Sequence, residues 1–293
     1  MSKYFDETVK AQQQKPRAGE PGPVDVVSLL DTIKQTDPAI PISVKEPHPV
    51  ARKIPLSKVP NTLAAILQDS EPYLAAFKEA YQSLRTRVMR IRASGVHSMM
   101  LTSSLMLEGK TLTALNLALV CSQLNDQSVL LVDGDLRSRG LTTLVQIEAE
   151  IGLSDVLSGT TTAPESVLST DQRNLKILGA GTSCQQTTSD LFASSNWKGF
   201  MAWAKERFSI VLIDAPPIHK VADAELMSAS CDGTLFVIRA HSTPRELALS
   251  CAARLDKKKI VGLILNGVQE GEGVSYGYYG VVPYGTPPKN KVT

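Results

Sequence analysis

The stretch from His97 to Arg139, HSMMLTSSLMLEGKTLTALNLALVCSQLNDQSVLLVDGDLRSR, constrains this chain more than any other. The apolar run Met99-Met100-Leu101 enters a loop that ends in Gly109-Lys110-Thr111. Leu112 to Leu124 carries apolar side chains at helical spacing. Val129-Leu130-Leu131-Val132 then reads as a buried strand that delivers Asp133 and Asp135 at its carboxyl end. Strand, loop, helix and acid-tipped strand is the layout of a P-loop nucleotide site.

The physics of a helix start favours that reading. Its unpaired backbone N–H groups and partial positive charge attract phosphate. Lys110 is placed to reach the β- and γ-phosphates of ATP, and the Thr111 hydroxyl to ligate Mg²⁺. Asp133 and Asp135 are placed either to hold that ion or to polarise an incoming hydroxyl. The loop from Ser104 through Glu108 and Gly109 to Leu112 is the expected binding segment. It departs from G-x-x-x-x-G-K-[ST], because Ser104 stands at the first Gly position. Leu107 cannot take a positive φ cheaply, which predicts a distorted loop.

The totals exclude other classes. A chain of 293 residues with 43% apolar residues accommodates one α/β domain of about 200 residues plus extensions. A formal charge of +2 predicts no nucleic-acid partner. Without a long apolar run or a signal-peptide core, the chain reads as cytoplasmic. Cys121, Cys184, Cys231 and Cys251 are scattered and form no metal motif with the histidines.

Residues 1–70 are rich in Gln, Lys, Pro and Asp and read as a flexible region, with a short helix near Val24 to Thr36. From Pro72 the pattern turns helical, with Leu74, Phe77, Tyr81, Leu84 and Val88 on one face. Short helices are expected after Arg139, a strand over Asn174 to Leu178, and one amphipathic helix over Asp190 to Phe208. Ser209 to Asp214 is an apolar strand tipped by a carboxylate, a Walker B pattern that sets Asp214 beside the metal. Gly233 to Arg239 and Ile260 to Asn266 are two more buried strands, with a helix over Thr243 to Leu255 between them. The alternation predicts an α/β fold: a doubly wound, mostly parallel sheet of P-loop NTPase type over residues 71–270, with flexible tails at both ends. Lys110, Asp133, Asp214 and Asn266 all fall at carboxyl ends of strands, where ligands bind such sheets. Residues 271–293 form a Gly-rich tail with Tyr276, Tyr278, Tyr279 and Tyr284, readable as phosphoacceptors or as a sticky linker.

The segments EAYQSLRT, TSSLMLEGKTLTALNLA, VLLVDGDLR, IVLIDAPP, VADAELMSASCDGTLFVIRA with STPRE, and GLILNGV, followed by the tyrosine tail, resemble the bacterial tyrosine autokinases of capsule and exopolysaccharide assembly. The resemblance runs from about Pro72 to Gly285, and the acidic pair followed by Arg137 is its most specific part. It implies that Lys110 and Thr111 bind phosphates and Mg²⁺, with Ser104, Glu108, Gly109, Leu112 and Arg137 around the nucleotide. It further implies that Asp133 works near the incoming tyrosine hydroxyl, Asp135 and Asp214 hold or orient the metal, and Asn266 faces the adenine. The tail tyrosines would accept phosphate from a neighbouring subunit of a homo-oligomeric ring. The activating partner would be a separate, membrane-bound chain length determinant protein, which would hold the kinase peripherally at the inner membrane. Three departures stand out: Met106-Leu107 replaces a usual Pro-Gly, Gln82 replaces the first Arg of a ring-forming E-x-x-R-x-x-R helix, and the tail is modest.

The expected function is ATP-dependent tyrosine autophosphorylation controlling polysaccharide polymerisation or export. Two other readings stand beside it. One is a weak or inactive P-loop module that regulates the export machinery, suggested by Leu107; the other is a partition-type ATPase.

Overall fold

The inner strands of a seven-stranded sheet are built from runs whose alternate residues feed two separate cores, so both faces of the sheet's centre must be covered. The structure is a computed structural model, and it describes residues 53–59, 62, 72–147, 151–182, 187–219 and 221–268. The expected helix near Val24 to Thr36 and the tail with its four tyrosines lie outside the described residues.

In chain order the elements are α1 (Pro72–Ala93), β1 (Ser98–Ser103), α2 (Lys110–Ser122), β2 (Val129–Asp133) and α3 (Gly140–Leu144). Next come α4 (Leu153–Ser158), α5 (Ala163–Ser166), β3 (Leu168–Ser169), β4 (Leu175–Leu178), α6 (Thr188–Ala193) and α7 (Ser195–Arg207). The last are β5 (Ile210–Asp214), α8 (Asp223–Ser230), β6 (Gly233–Arg239), α9 (Arg245–Ala252) and β7 (Ile260–Asn266). The sheet order is β3-β4-β2-β5-β1-β6-β7. All neighbours are parallel except the short β3, which runs antiparallel to β4.

Met99 and Leu101 of β1, Val129 and Leu131 of β2 and Leu212 of β5 pack under α1 and α2. Met100, Leu130, Val132, Val211 and Ile213 point the other way, toward Trp197, Phe200 and Met201 of α7 and Met227 of α8. The period of two along each strand explains the split. Helix α2 is buried almost throughout because α1 lies across it, with Arg85 donating to the Val120 carbonyl at 3.2 Å. Arg85, the last matched position of the expected ring-forming helix, is thus partly spent inside its own subunit.

Three expectations need correction. The single helix over Asp190 to Phe208 is two helices, because Ser194 has extended backbone and its hydroxyl accepts from the Trp197 N–H as an N-cap. Helix α8 was not foreseen. The stretch from residue 53 to 59 is not a flexible tail: Ile54 bridges Thr170, Leu56 is fully buried, and Val59 joins the same core. Pro55 fits there because the chain adds at the margin of the sheet, where a missing N–H is tolerated.

Strand order reverses around β1 and β5. β2 leaves β1 in one direction, while β6 lies on its other side, which opens a crevice at the carboxyl ends of β1, β5 and β2.

Candidate active site

That crevice is built first by backbone. Gly109 precedes α2 with φ 90° in the left-handed region, and turns the loop so that Lys110 and Thr111 open the helix. The Lys110 ammonium is buried. It lies 3.2 Å from Asp135 Oδ2, 3.5 Å from Asp214 Oδ1 and 3.4 Å from the Thr111 hydroxyl. Thr111 also hydrogen-bonds the Asp214 side chain. One lysine, one hydroxyl and two carboxylates, drawn from α2, the end of β2 and the end of β5, therefore meet at one point.

Asp133 and Asp214 are register partners on adjacent strands, and the Gly134 N–H donates to the Asp214 carbonyl at 2.9 Å. Asp133 Oδ2 accepts from the Thr142 N–H at 2.8 Å and from its hydroxyl at 2.7 Å. Its Oδ1 accepts from the Asp135 N–H at 3.2 Å. The Thr142 hydroxyl in turn accepts from the Ala180 N–H at 2.8 Å. Asp133 is thereby fixed from α3 and from the loop after β4.

Burial, then the nearby Asp214 charge, pushes the Asp133 carboxyl up to about 7. Burial likewise raises Asp214, against the opposing pull of Lys110. Burial alone would lower Lys110, but Asp214 and Asp135 outweigh it and raise its pKa, so the ammonium stays charged.

Asp214 Oδ2 and Ser104 Oγ are buried without a hydrogen-bond partner. The free Asp214 oxygen, on a carboxylate that already meets Thr111 and Asp135, is a hard donor suited to a small divalent cation. Among the described residues, no group of three or more His, Cys, Asp or Glu forms a cage able to hold an ion alone. An ion shared with phosphate oxygens needs fewer protein ligands.

The positive φ that leucine adopts only at a cost is present in the loop. Leu107 takes the left-handed conformation itself, at φ 63°, with its side chain in solvent. Glu108 is buried and its Oε2 accepts from the Leu105 N–H at 2.7 Å, closing the turn. Of the remaining expected residues, Leu112 lies in the first turn of α2. Arg137 lies at the rim, its Nε donating to Asp223 Oδ2 at 3.0 Å. The Asn266 amide donates to the Glu108 carbonyl at 2.9 Å and lies over Gly109. Sequence reasoning missed Thr142 and Asp223. Asp223 gathers Arg137, Thr188 and Ser189. Asp223 lies in the quoted segment VADAELMSASCDGTLFVIRA, which gave it no role, and Thr142 lies in none of the quoted segments.

No family model matches the chain. Tyrosine-protein kinase YwqD of Bacillus subtilis (strain 168) is 34% identical over 206 residues, which span 69% of this chain and 86% of that protein. Among solved structures, the kinase domain of Escherichia coli tyrosine kinase ETK superposes with a TM-score of 0.64 at 25% identity, covering 80% of this chain and 89% of that one. The Pyrococcus horikoshii septum site-determining protein MinD, complexed with Mg-ADP, matches at a TM-score of 0.50 and 21% identity over 58% of this chain and 69% of that one, a likeness of fold alone. Among the described residues, no helix is long and apolar enough to cross a membrane.

Proposed function

The chain belongs to the family of bacterial tyrosine-protein kinases, and from that premise we propose that it transfers the γ-phosphoryl group of ATP to tyrosine hydroxyls in the service of capsule or exopolysaccharide assembly. The observation that carries the reading is the convergence of Lys110, Thr111, Asp135 and Asp214 where α2 begins. Backbone N–H groups from Glu108 to Thr111 bind the phosphates at the helix start. Lys110 moves its charge from the two carboxylates onto the β- and γ-phosphates. Mg²⁺, held by Thr111, Asp135 and Asp214, would supply charge neutralisation on those phosphates. The unpartnered Asp214 Oδ2 supports that fit.

Asp133, raised to about 7 and held by Thr142, accepts the hydrogen bond of the incoming tyrosine and orients its oxygen for in-line attack. The bond from phosphorus to the bridging oxygen of ADP breaks as the tyrosine–phosphorus bond forms, and the phenolic proton leaves by way of Asp133. Catalysis then rests on positioning and on charge, with no covalent enzyme intermediate. Asn266 would meet the adenine with whatever part of its amide the Glu108 carbonyl leaves available. The acceptors would be Tyr276, Tyr278, Tyr279 and Tyr284, presented by a neighbouring subunit of a ring, with a membrane-bound chain length determinant protein as activator.

The reading as a weakened regulatory module rested on Leu107, and that residue takes the backbone angle the loop needs. Purified chain incubated with labelled ATP and Mg²⁺, beside an Asp133→Asn control, tests the proposal. Tyrosine label that vanishes in the control is expected. Hydrolysis without tyrosine label would point to a partition-type ATPase, and absence of nucleotide binding to a regulatory module.

A further inference from the structure

Four contacts from outside the phosphate loop or across it converge on two residues, Leu107 and Glu108. Arg239, the last residue of β6, donates Nη1 to the Leu107 carbonyl at 3.2 Å. Thr243, in the turn before α9, hydrogen-bonds Glu108 Oε1 through its hydroxyl. Glu108 Oε2 holds the Leu105 N–H, and the Asn266 amide at the end of β7 holds the Glu108 carbonyl. Thr243 is itself keyed to β6, because its hydroxyl accepts from the Arg239 N–H at 3.1 Å and its own N–H donates to the Arg239 carbonyl at 3.1 Å.

The loop needs such a restraint. A leucine in the left-handed region is disfavoured relative to its ordinary conformations, whereas glycine is nearly indifferent. The Leu107 side chain is 87% exposed, so its own packing does not hold that backbone angle. The charged Arg239 guanidinium holds the Leu107 carbonyl directly. Glu108 is only 3% exposed, and its carboxylate is gripped from both sides.

We propose that Arg239 and Thr243 are positioning residues for the nucleotide: through Leu107 and Glu108 they hold the phosphate loop in the binding conformation that its non-glycine sequence would otherwise leave. This rests on the nucleotide reading above. Neither residue touches the phosphates; both act through the loop. The clamp also ties the loop to the β6 end of the sheet, so a change at the turn from Ala240 to Pro244 is felt as nucleotide affinity.

The test is ATP titration, with Mg²⁺, of the intact chain and its variants, with a thermal melt of each as a folding control. Arg239→Ala is expected to weaken ATP binding about tenfold, the effect of one charge-assisted bond. The same substitution in the L107G background is expected to weaken it less than about threefold, because glycine takes the loop conformation unaided. Thr243→Val is expected to raise KM for ATP with little change in kcat, and Thr243→Ser to restore it. Equal losses from Arg239→Ala in both backgrounds, or no loss in either, would overturn the clamp while leaving the nucleotide reading intact. An unaltered chain that folds but binds no ATP would overturn both.

Discussion

Asp133 and Asp214 stand side by side as the last residues of β2 and β5, both fully buried, and only Asp214 is reached by the Lys110 ammonium. The two identical side chains sit in different surroundings. Asp214, next to Lys110 and Thr111, keeps one oxygen without a hydrogen-bond partner. Asp133, without a cation in contact, turns to Thr142 and is pushed up to about 7 by burial and then by Asp214. One carboxylate is thus suited to a cation and the other to a proton.

Such a pair stores destabilisation. Asp133→Asn removes the charge that burial and Asp214 oppose, and its amide oxygen can still accept from Thr142. The new amide hydrogens meet the Asp135 N–H, which offsets part of the gain. The expected net is a stabilisation of about 1 kcal/mol at pH 8, with loss of tyrosine phosphorylation. Denaturant unfolding of both proteins, run beside the labelling assay, checks both halves. A variant that is less stable and equally active would remove Asp133 from its role.

Lys110→Met disturbs more than a phosphate contact. It leaves the Asp135 and Asp214 carboxylates buried without their shared cation. Breaking a buried pair from one side costs about 3 kcal/mol, more than the pair itself contributes. The variant should therefore melt well below the unaltered chain. The double variant Lys110→Met with Asp214→Asn should recover most of that loss while remaining inactive. Failure of the second change to restore the melting temperature would mean that the lysine's packing, not its charge, is what was missed.

The parts of the fold that sequence made plain are those where burial itself writes the pattern. β6 matches the expected buried run Gly233–Arg239, whereas β7 keeps the expected bounds Ile260–Asn266 but is not the buried strand expected: it is the edge of the sheet, with Leu263 and Leu265 exposed. The site was legible for the same reason: Asp133 and Asp214 are the polar ends of apolar strands, and Gly109-Lys110-Thr111 opens a helix. What could not be read depends on partners far away in sequence. Thr142 is one of two threonines in a short helix, and only the fold brings its hydroxyl to Asp133. Ser194 looks like any serine inside an amphipathic run until its hydroxyl caps Trp197. Leu107 looked unfit for its place because the restraint on it comes from Arg239, more than a hundred residues away.

Away from the site, Asp232 ties the start of β6 to the start of β1. Its Oδ2 accepts from the His97 and Ser98 N–H groups at 3.0 and 2.9 Å, and its Oδ1 from Lys205 at 3.1 Å. Partial burial raises its pKa, but the bonds from Ser98, Lys205 and His97 outweigh it and hold the carboxyl below the ordinary 3.8. A folded value below the unfolded one means that the contribution is complete above 3.8 and is lost as pH falls through the folded value. Asp232→Asn should accordingly lower the melting temperature at pH 7, with the two proteins converging as the medium becomes more acid than that. Parallel pH profiles with a constant gap would show that the carboxylate's charge is not what holds the two strands.

Gly109 allows the sharpest separation of loop shape from loop chemistry. Its φ of 90° disfavours any side chain, and a Cβ there would overlap the Asn266 amide. Gly109→Ala thus meets two obstacles, a backbone angle and a neighbour. Replacing Asn266 by Ala removes the neighbour but also the bond to the Glu108 carbonyl, so it cannot restore the loop. Both the single variant and the double variant should lose ATP binding by a factor of about ten or more while staying folded, because the strain lies in a half-buried turn rather than in the apolar core. Isothermal titration with ATP and Mg²⁺ measures this directly. Recovery of affinity in the double variant would show that the Asn266 contact, rather than the left-handed turn, is what reserves this position for glycine.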